Sequence, residues 1–565
     1  MSWFRDMIQS PMRLVLADDS IIDTVARHAR AAPDKPFLII ETEAGPLVTT
    51  FGQLRDRAMV YAALLTQNGL QDGDTVALMF TTHVAQAPVF LAAMMLGAVP
   101  FLLPTMTVKQ DPVLFWRAQL ATLERAAVRL VVTDAATAMQ LKSHAPALAE
   151  RVIDVDTLSL AGVAPLAERQ CADVAFLQHS SGTTGAKKGI VLTHRMVLDF
   201  VAALGTALQV TEADIIASWL PLYHDMGLVG CLMLPMLLGI TTVHTSPFDW
   251  VVRPVSLFEM IERHKATMCW QPNFAFQHLS RTAPKGKRWD LSSMRAFIDC
   301  SESCKADTIR TFAARFADCG LRPEAMQVSY GMAENVFIAT QTAMDRGPRF
   351  IAADLAAFDT GAIAPPVEGL PFIEVVSCGF PIPETRIEVR DEDGTALADR
   401  RIGQIWVTSP YMFDGYHKSD LALTKLKDGW YATGDFGFFD AGEVFVCGRR
   451  DELLIINGRN IFAPDIEFSI NQATAVKPGR CVAVGPYNPR TGSQSLVVVA
   501  EMEAPEPEAR RDLARSIQAL ILAEFGIATH DVWVTDIGWV AKTTSGKIAR
   551  GANESRYMKE RWGQA

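Results

Sequence analysis

Two short apolar runs, 174–177 and 190–192, enclose the segment Ser180-Ser181-Gly182-Thr183-Thr184-Gly185-Ala186-Lys187-Lys188-Gly189. Both runs read as short buried strands. The segment between them carries three glycines, four hydroxyls and two lysines. Glycines let backbone N–H groups close in on an anion, and hydroxyl and ammonium donors complete such a cradle. The spacing G-x-x-x-x-G-K-[ST] is absent, and a strand rather than a helix follows, so this is not a Walker A loop. Taken alone, the segment suits either a phosphate cradle or an ordinary flexible turn.

Helix and strand patterns alternate through the first half. Thr50 can cap a helix with Gln53 three residues on; Phe51, Leu54, Ala58, Tyr61 and Leu65 recur at helical spacing, and Gly69 closes it. Residues 75–80 and 129–133 read as strands. Beyond about residue 370, short strands bounded by turn signals take over, at 386–390, 404–408 and 443–447. Residues 453–456 and 459–462 read as a hairpin, because the intervening Asn457-Gly458 suits a two-residue turn with positive φ. Pro464 then opens a helix with Asp465 and Glu467 near its positive end. A later helix carries Leu513, Ile517, Leu520, Ile521 and Phe525 on one face and stops at Gly526. The expected fold is α/β. A large N-terminal multi-layer α/β domain would span 1–448 and a small mobile C-terminal α+β domain 452–565, with a hinge near 449–451.

A chain of 565 residues, 49% hydrophobic and 21% charged, can bury a large core and fits a globular enzyme rather than a disordered chain. A net charge of −10 argues against a nucleic-acid partner but not against a nucleotide, which needs only a local positive site. The nine cysteines form no C-x-x-C pair and read as reduced thiols in a cytoplasmic setting. Met1-Ser2-Trp3-Phe4-Arg5-Asp6 does not read as a signal peptide. Segments 84–103 and 227–243 are apolar but interrupted. They fall short of a span of about 20 residues, so buried helix–strand pairs are expected instead of a membrane span.

Further segments carry chemistry. Ser218-Trp219-Leu220-Pro221-Leu222-Tyr223-His224-Asp225-Met226-Gly227 sets a histidine beside an apolar stretch, and Ser329-Tyr330-Gly331-Met332-Ala333-Glu334 sets a ring and a carboxylate around a glycine. Tyr431-Ala432-Thr433-Gly434-Asp435 reads as a strand ending in an acid. Gly448-Arg449-Arg450-Asp451-Glu452 marks the boundary, and Lys542-Thr543-Thr544-Ser545-Gly546-Lys547 lies near the C-terminus. With the glycine-rich loop, these five motifs in this order resemble the adenylate-forming superfamily of acyl-CoA synthetases, peptide-synthetase adenylation domains and luciferases, from about residue 20 to 550. Within it the chain most resembles the fatty acyl-AMP ligases, on residues 219–228, 330–334, 376–379 and 455–461 and on the long stretch 337–376, which is similar to the extra segment of those ligases.

The resemblance implies ATP-dependent activation of a carboxylic acid to an acyl-adenylate, with release of pyrophosphate. Transfer to the phosphopantetheine thiol of an acyl or peptidyl carrier protein would follow, in lipid or secondary-metabolite biosynthesis. It implies that Ser181, Gly182, Thr183, Thr184, Gly185 and Lys188 hold phosphates, and that Lys547 bridges the acid and the α-phosphate. Glu334, with Thr184, would bind Mg²⁺; Tyr330, Gly331 and Ser301 would line the nucleotide site. Asp435, aided by Arg449, would accept the ribose hydroxyls. His224 would gate the acid pocket and Asp451 would be the hinge. A CoA ligase using free CoA and a degenerate nucleotide-binding member are the alternatives.

The chain also departs from that pattern. Lys187 and Ala541 stand where prolines are usual, which removes rigidity rather than charge. Cys269-Trp270-Gln271-Pro272-Asn273-Phe274 has Trp270 and Gln271 in place of two glycines, and Phe297-Ile298-Asp299-Cys300-Ser301-Glu302 has Asp299 in place of asparagine. Trp270, Gln271, Asn273 and Asp299 are the expected substrate pocket. Either their bulk and polarity shorten it toward a small, polar or amino-bearing acid, or Trp270 packs in the wall and the tunnel runs elsewhere.

Overall fold

The computed structural model describes residues 14–106, 112–160, 162–165, 173–179, 188–419, 426–456, 459–488, 493–503, 506–543 and 546–562. Six parallel strands form the centre of a nine-stranded sheet: Pro36–Ile40, Thr241–His244, Ile215–Ser218, Met268–Gln271, Ala296–Asp299 and Met326–Gly331. Antiparallel strands, Leu47–Thr50 on one side and Ile338–Gln341 with Phe380–Pro381 on the other, close its edges. A second sheet of six strands ends in the antiparallel pair Val174–His179 and Gly189–Thr193. The five strands Arg386–Arg390, Gly403–Thr408, Trp430–Asp440, Leu426–Lys427 and Glu443–Arg449 form a third, antiparallel sheet. Helices cover the parallel sheets, as βαβ crossovers require.

Local sequence accounts for much of this. The helix Phe51–Gln67 begins with a complete capping box, Thr50 and Gln53 satisfying each other's backbone N–H groups. Segment 84–103 folds as the buried helix Gln86–Met95 and the strand Val99–Leu102. Segment 227–243 ends in the strand Thr241–His244 as expected, but Met226–Met233 winds as a π-helix before Leu234–Leu238 returns to α. Gly227 sits where a Cβ would lie 2.3 Å from the Pro221 carbonyl oxygen, and Gly230 where one would meet the Phe337 ring at 2.9 Å. Close packing of this wide helix therefore needs both glycines. Among the described residues no helix is long and apolar enough to cross a membrane.

Toward the C-terminus, Leu453–Ile456 and Arg459–Phe462 pair antiparallel in the expected register; Asn457 and Gly458 lie outside the described residues. Helix Ala463–Ala473 starts with Pro464 and Asp465 in its first turn. Glu467 instead turns inward, where it ion-pairs with Arg550 and accepts the Ala483 N–H at 2.8 Å. Helix Pro507–Phe525 buries Leu513, Ile517, Ile521 and Phe525 and ends at left-handed Gly526. With strands Cys481–Val484, Val497–Glu501 and Asp531–Thr535, these helices enclose cores made only of residues beyond 453. A third small core (Ala353, Phe358, Val375, Phe438, Phe445, Cys447 and Phe462) bridges the two parts.

Candidate active site

Strand Met326–Gly331 turns through the one-turn helix Ala333–Asn335 into Ile338–Gln341. A Cβ at Gly331 would lie 1.9 Å from the Phe337 carbonyl oxygen, so only glycine fits. Val336 holds φ +63°, a costly conformation for a β-branched residue. This strained turn sets Tyr330 on one side and Glu334 on the other.

Tyr330 Oη–H donates to Asp435 Oδ2 at 2.6 Å, and Arg449 Nε–H donates to Asp435 Oδ1 at 2.7 Å. Burial and the charge of Asp435 push the Tyr330 phenol well above its usual range. Asp435 does not end its strand. Trp430–Asp440 runs through it, and a bulge against Gly403–Thr408 lifts residues 433–435 out of register. Gly434 takes φ +83° there. Thr433 Oγ1 receives the Asp435 N–H at 3.0 Å and donates to the Ile405 carbonyl at 2.8 Å. Bulges re-aim a side chain without ending the strand, which is how a mid-strand acid reaches the crevice. Each Asp435 oxygen keeps capacity for a further donor.

Glu334 is held from a different direction. Tyr416 and Tyr431 both donate to its Oε1, at 2.7 and 2.8 Å, and Oε2 takes no part in either bond. Segment 414–417 pairs with the edge strand Gly189–Thr193, through Val191 N–H to the Gly415 carbonyl and His417 N–H to the Gly189 carbonyl. Lys188 Nζ therefore lies 5.1 Å above the Tyr416 ring. Ser181, Gly182, Thr183, Thr184 and Gly185, with Lys187, lie outside the described residues. Lys188 and the antiparallel strands on either side of the loop are described.

Lys547 belongs to a tight turn in which Thr543 N–H donates to its carbonyl at 2.7 Å. Its charge works against burial at two carboxyls of the N-terminal part, Asp225, which with the help of His224 ends below its usual range, and Glu302, which burial still holds above it. The dense surroundings of Glu302 hold its carboxyl above the usual range, against the charges of Lys547, Lys542 and His224. His224 Nδ1 lies 2.6 Å from Asp225 Oδ1, one residue before the π-helix. Ser301, at φ +79°, forms the turn between Asp299 and Glu302. Ala541 is not left loose: the buried Asn553 side chain takes its N–H at 2.7 Å and gives a bond to its carbonyl at 3.0 Å. A proline there could not make the first of these bonds.

The two parts of the chain also touch directly. Lys305 ion-pairs with Asp465 and lies 5.6 Å from the Phe468 ring centre. Arg459 pairs with Asp359 at 2.6 Å, and Asn460 donates to the Asp359 carbonyl at 3.3 Å. Asp359 lies within the long stretch 337–376. Asp451 is exposed in the single turn Arg450–Glu452. Asn273 Oδ1 accepts the Lys305 N–H at 3.3 Å, while Trp270, Gln271 and Asp299 are fully buried at the ends of two adjacent parallel strands. Sequence reasoning missed Tyr416, Tyr431, Lys305 and Asn553. Tyr431 stood in a quoted motif without a role, whereas the others carry no local signal.

Residues 25–417 match the family of AMP-binding enzymes. The chain is 30% identical over 603 residues to a long-chain-fatty-acid–AMP ligase of Mycolicibacterium smegmatis, covering 95% of this chain and 94% of that protein. It is 28% identical over 600 residues to a 4-hydroxyphenylalkanoate adenylyltransferase of Mycobacterium tuberculosis, covering 97% and 93%. Against a solved structure from a study of fatty acyl-adenylate ligases of E. coli and L. pneumophila the TM-score is 0.88 at 25% identity, over 97% of this chain and 98% of that one. The chain therefore belongs to the AMP-binding enzyme family, as an AMP-forming ligase that activates an acid to its acyl-adenylate.

Proposed function

We propose that this ligase uses ATP and Mg²⁺ to adenylate a carboxylic acid and then passes the acyl group to the phosphopantetheine thiol of an acyl or peptidyl carrier protein. The observation that carries the first step is the reach of Lys547: a residue of the C-terminal part lies within the electrostatic range of Asp225 and Glu302. An ammonium there can hold the acid carboxylate against the α-phosphate. It then stays to offset the negative charge that gathers as the carboxylate attacks and pyrophosphate leaves. Lys188, with the hydroxyls and amides of 181–185, would hold the departing phosphates. Asp435 would take the ribose hydroxyls while Arg449 and Tyr330 keep its carboxylate aimed. Gly331, kept bare by the Phe337 carbonyl, would face the nucleotide beside Tyr330, and Ser301 would meet it across the crevice. His224, braced by Asp225, would gate the acid pocket.

Glu334 suits a hard cation, because two phenols fix one oxygen of an oxygen-only ligand. Among the described residues no group of three or more His, Cys, Asp or Glu side chains could hold a metal by itself, so phosphate oxygens and water would complete its shell. When bound there, Mg²⁺ would neutralise phosphate charge.

We divide the chain functionally at 448 and 452. Asp451 in the exposed turn would be the pivot about which the C-terminal unit leaves the crevice for the second half-reaction. Support for the carrier as acceptor comes from the relative named as an AMP ligase and from the stretch 337–376, whose Asp359 grips Arg459 and Asn460. The test is acyl transfer from the purified adenylate-forming enzyme to a holo-carrier protein and, in parallel, to free CoA. Acyl-carrier without acyl-CoA is the expected result. Efficient acyl-CoA formation would overturn the carrier assignment in favour of a CoA ligase.

A further inference from the structure

Among the described residues, Gln271 and Asp299 are the only two that leave two buried side-chain polar atoms without a hydrogen-bond partner. They are also direct register partners, Gln271 opposite Asp299 at the C-terminal ends of strands Met268–Gln271 and Ala296–Asp299. Both are fully buried. Unpaired buried polar groups are rare because each forfeits its hydration without replacement. A carboxylate and an amide bare side by side form a preorganised set of donors and acceptors.

Their position fits a role in the acid pocket. In α/β sheets, ligands bind beyond the C-terminal ends of the parallel strands. Glu302 follows Asp299 by three positions, a reach of at most about 10 Å, and Glu302 already feels Lys547. Cys300, between them, feels both Asp225 and Lys547. The pair therefore sits one short turn from residues that the charge of Lys547 reaches. The turn 300–305 carries Cys304 against Asp299, its thiol 3.7 Å from the Asp299 carbonyl oxygen. The same turn is tied to the C-terminal part by Lys305 and Asp465.

Resting on the acid-activating reading above, we propose that Gln271 and Asp299 are a specificity subsite, and that the acid is short and bears a hydrogen-bond donor, hydroxyl or ammonium, on its acyl body. A donor on the acid satisfies a carboxylate oxygen of Asp299, and Gln271 serves the same group as acceptor or donor. Burial, with the charge of Glu302 adding to it, pushes the Asp299 carboxyl well above its usual range, and only the weak thiol donor of Cys304 offsets this. Asp299 thus favours its neutral form, which an ammonium beside it would return to its charged form and a hydroxyl would not.

The experiment is acid-dependent ATP–pyrophosphate exchange with matched acids: butanoic, 4-hydroxybutanoic, 4-aminobutanoic and the corresponding phenylalkanoic set, against a long-chain fatty acid. Wild type, Asp299→Asn and Gln271→Met are compared, with Tm of each measured. Wild type should favour a donor-bearing acid over its unsubstituted match by at least about tenfold in kcat/KM, and Asp299→Asn should erase that ratio without lowering Tm. Loss confined to amino acids would identify ammonium as the group read; loss with hydroxy acids would identify hydroxyl. An unchanged ratio in both variants, or a wild-type preference for the long-chain acid, would overturn the subsite while leaving acid activation intact. A fall in Tm with unchanged preference would mark the pair as structural and overturn it too. No exchange with any acid, despite ATP binding, would instead overturn acid activation itself, and the subsite with it.

Discussion

Asp435 and Asp299 are both buried acids at the candidate crevice, and their surroundings differ in kind. Asp435 has a phenol on one oxygen, a guanidinium on the other and a threonine under its backbone. Among the described residues, Asp299 has no nitrogen or oxygen donor on either oxygen, and its neighbour Gln271 finds no side-chain partner. At Asp435, the proposed ribose site, these partners fix the carboxylate while each oxygen keeps capacity for a further donor. At the proposed acid subsite the bare polar atoms cost stability, and an acid that pairs them would be selected over one that does not.

This contrast can be broken by substitution. Asp435→Ala should have the largest effect, raising KM for ATP by at least about tenfold, because it removes the proposed ribose acceptor and the partner of the Tyr330 phenol and Arg449. An ATP titration of exchange would measure it. Asn553→Ala should destabilise the C-terminal unit by about 1–3 kcal/mol, by leaving the Ala541 N–H and carbonyl without partners. Chemical denaturation followed by Trp fluorescence would read this. Tyr416→Phe with Tyr431→Phe should lower kcat by about 3–10-fold and weaken the Mg²⁺ dependence of exchange, since Glu334 loses both braces. A Mg²⁺ titration separates this from a general loss of fold.

The smallest effect sharpens the contrast most. The folded state holds Asp299 protonated above the range where the unfolded chain releases its proton. The native state then binds more protons, so this group costs stability as pH rises from about 4 through its folded pKa, at about 1.4 kcal/mol per unit of displacement. Asp299→Asn should therefore stabilise the enzyme at pH 8 and hardly at all near pH 4. Tm measured across that range checks the sign; a gain that shrinks with rising pH would be contrary to it.

Local chemistry was legible where it acts locally. The Thr50–Gln53 box, the hairpin 453–462 and the stop at Gly526 follow from neighbours a few residues apart. The motifs pair Asp435 with Arg449 and set Tyr330 apart, and the structure joins all three in a single cluster. The bulge at 433–435 was not legible, because it arises from mismatch with another strand. Nor was the π-helix, whose apolar residues fit either helical period. Tyr416 and Tyr431 meet Glu334 across 82 and 97 residues, and Lys305 meets Asp465 across 160. Such convergence is set by sheet order, which no short window of sequence contains. Trp270, Gln271 and Asp299 stood out as departures, but that the last two are bare register partners required the strands.

The most direct test of acid activation is ATP–pyrophosphate exchange across the acid panel, with wild type and Lys547→Ala compared in the same preparation buffer. Exchange that depends on one class of acid and falls at least about 10²-fold in the variant, with an unchanged Tm, is the expected result. Exchange that no acid stimulates, or that survives loss of Lys547, would contradict the account.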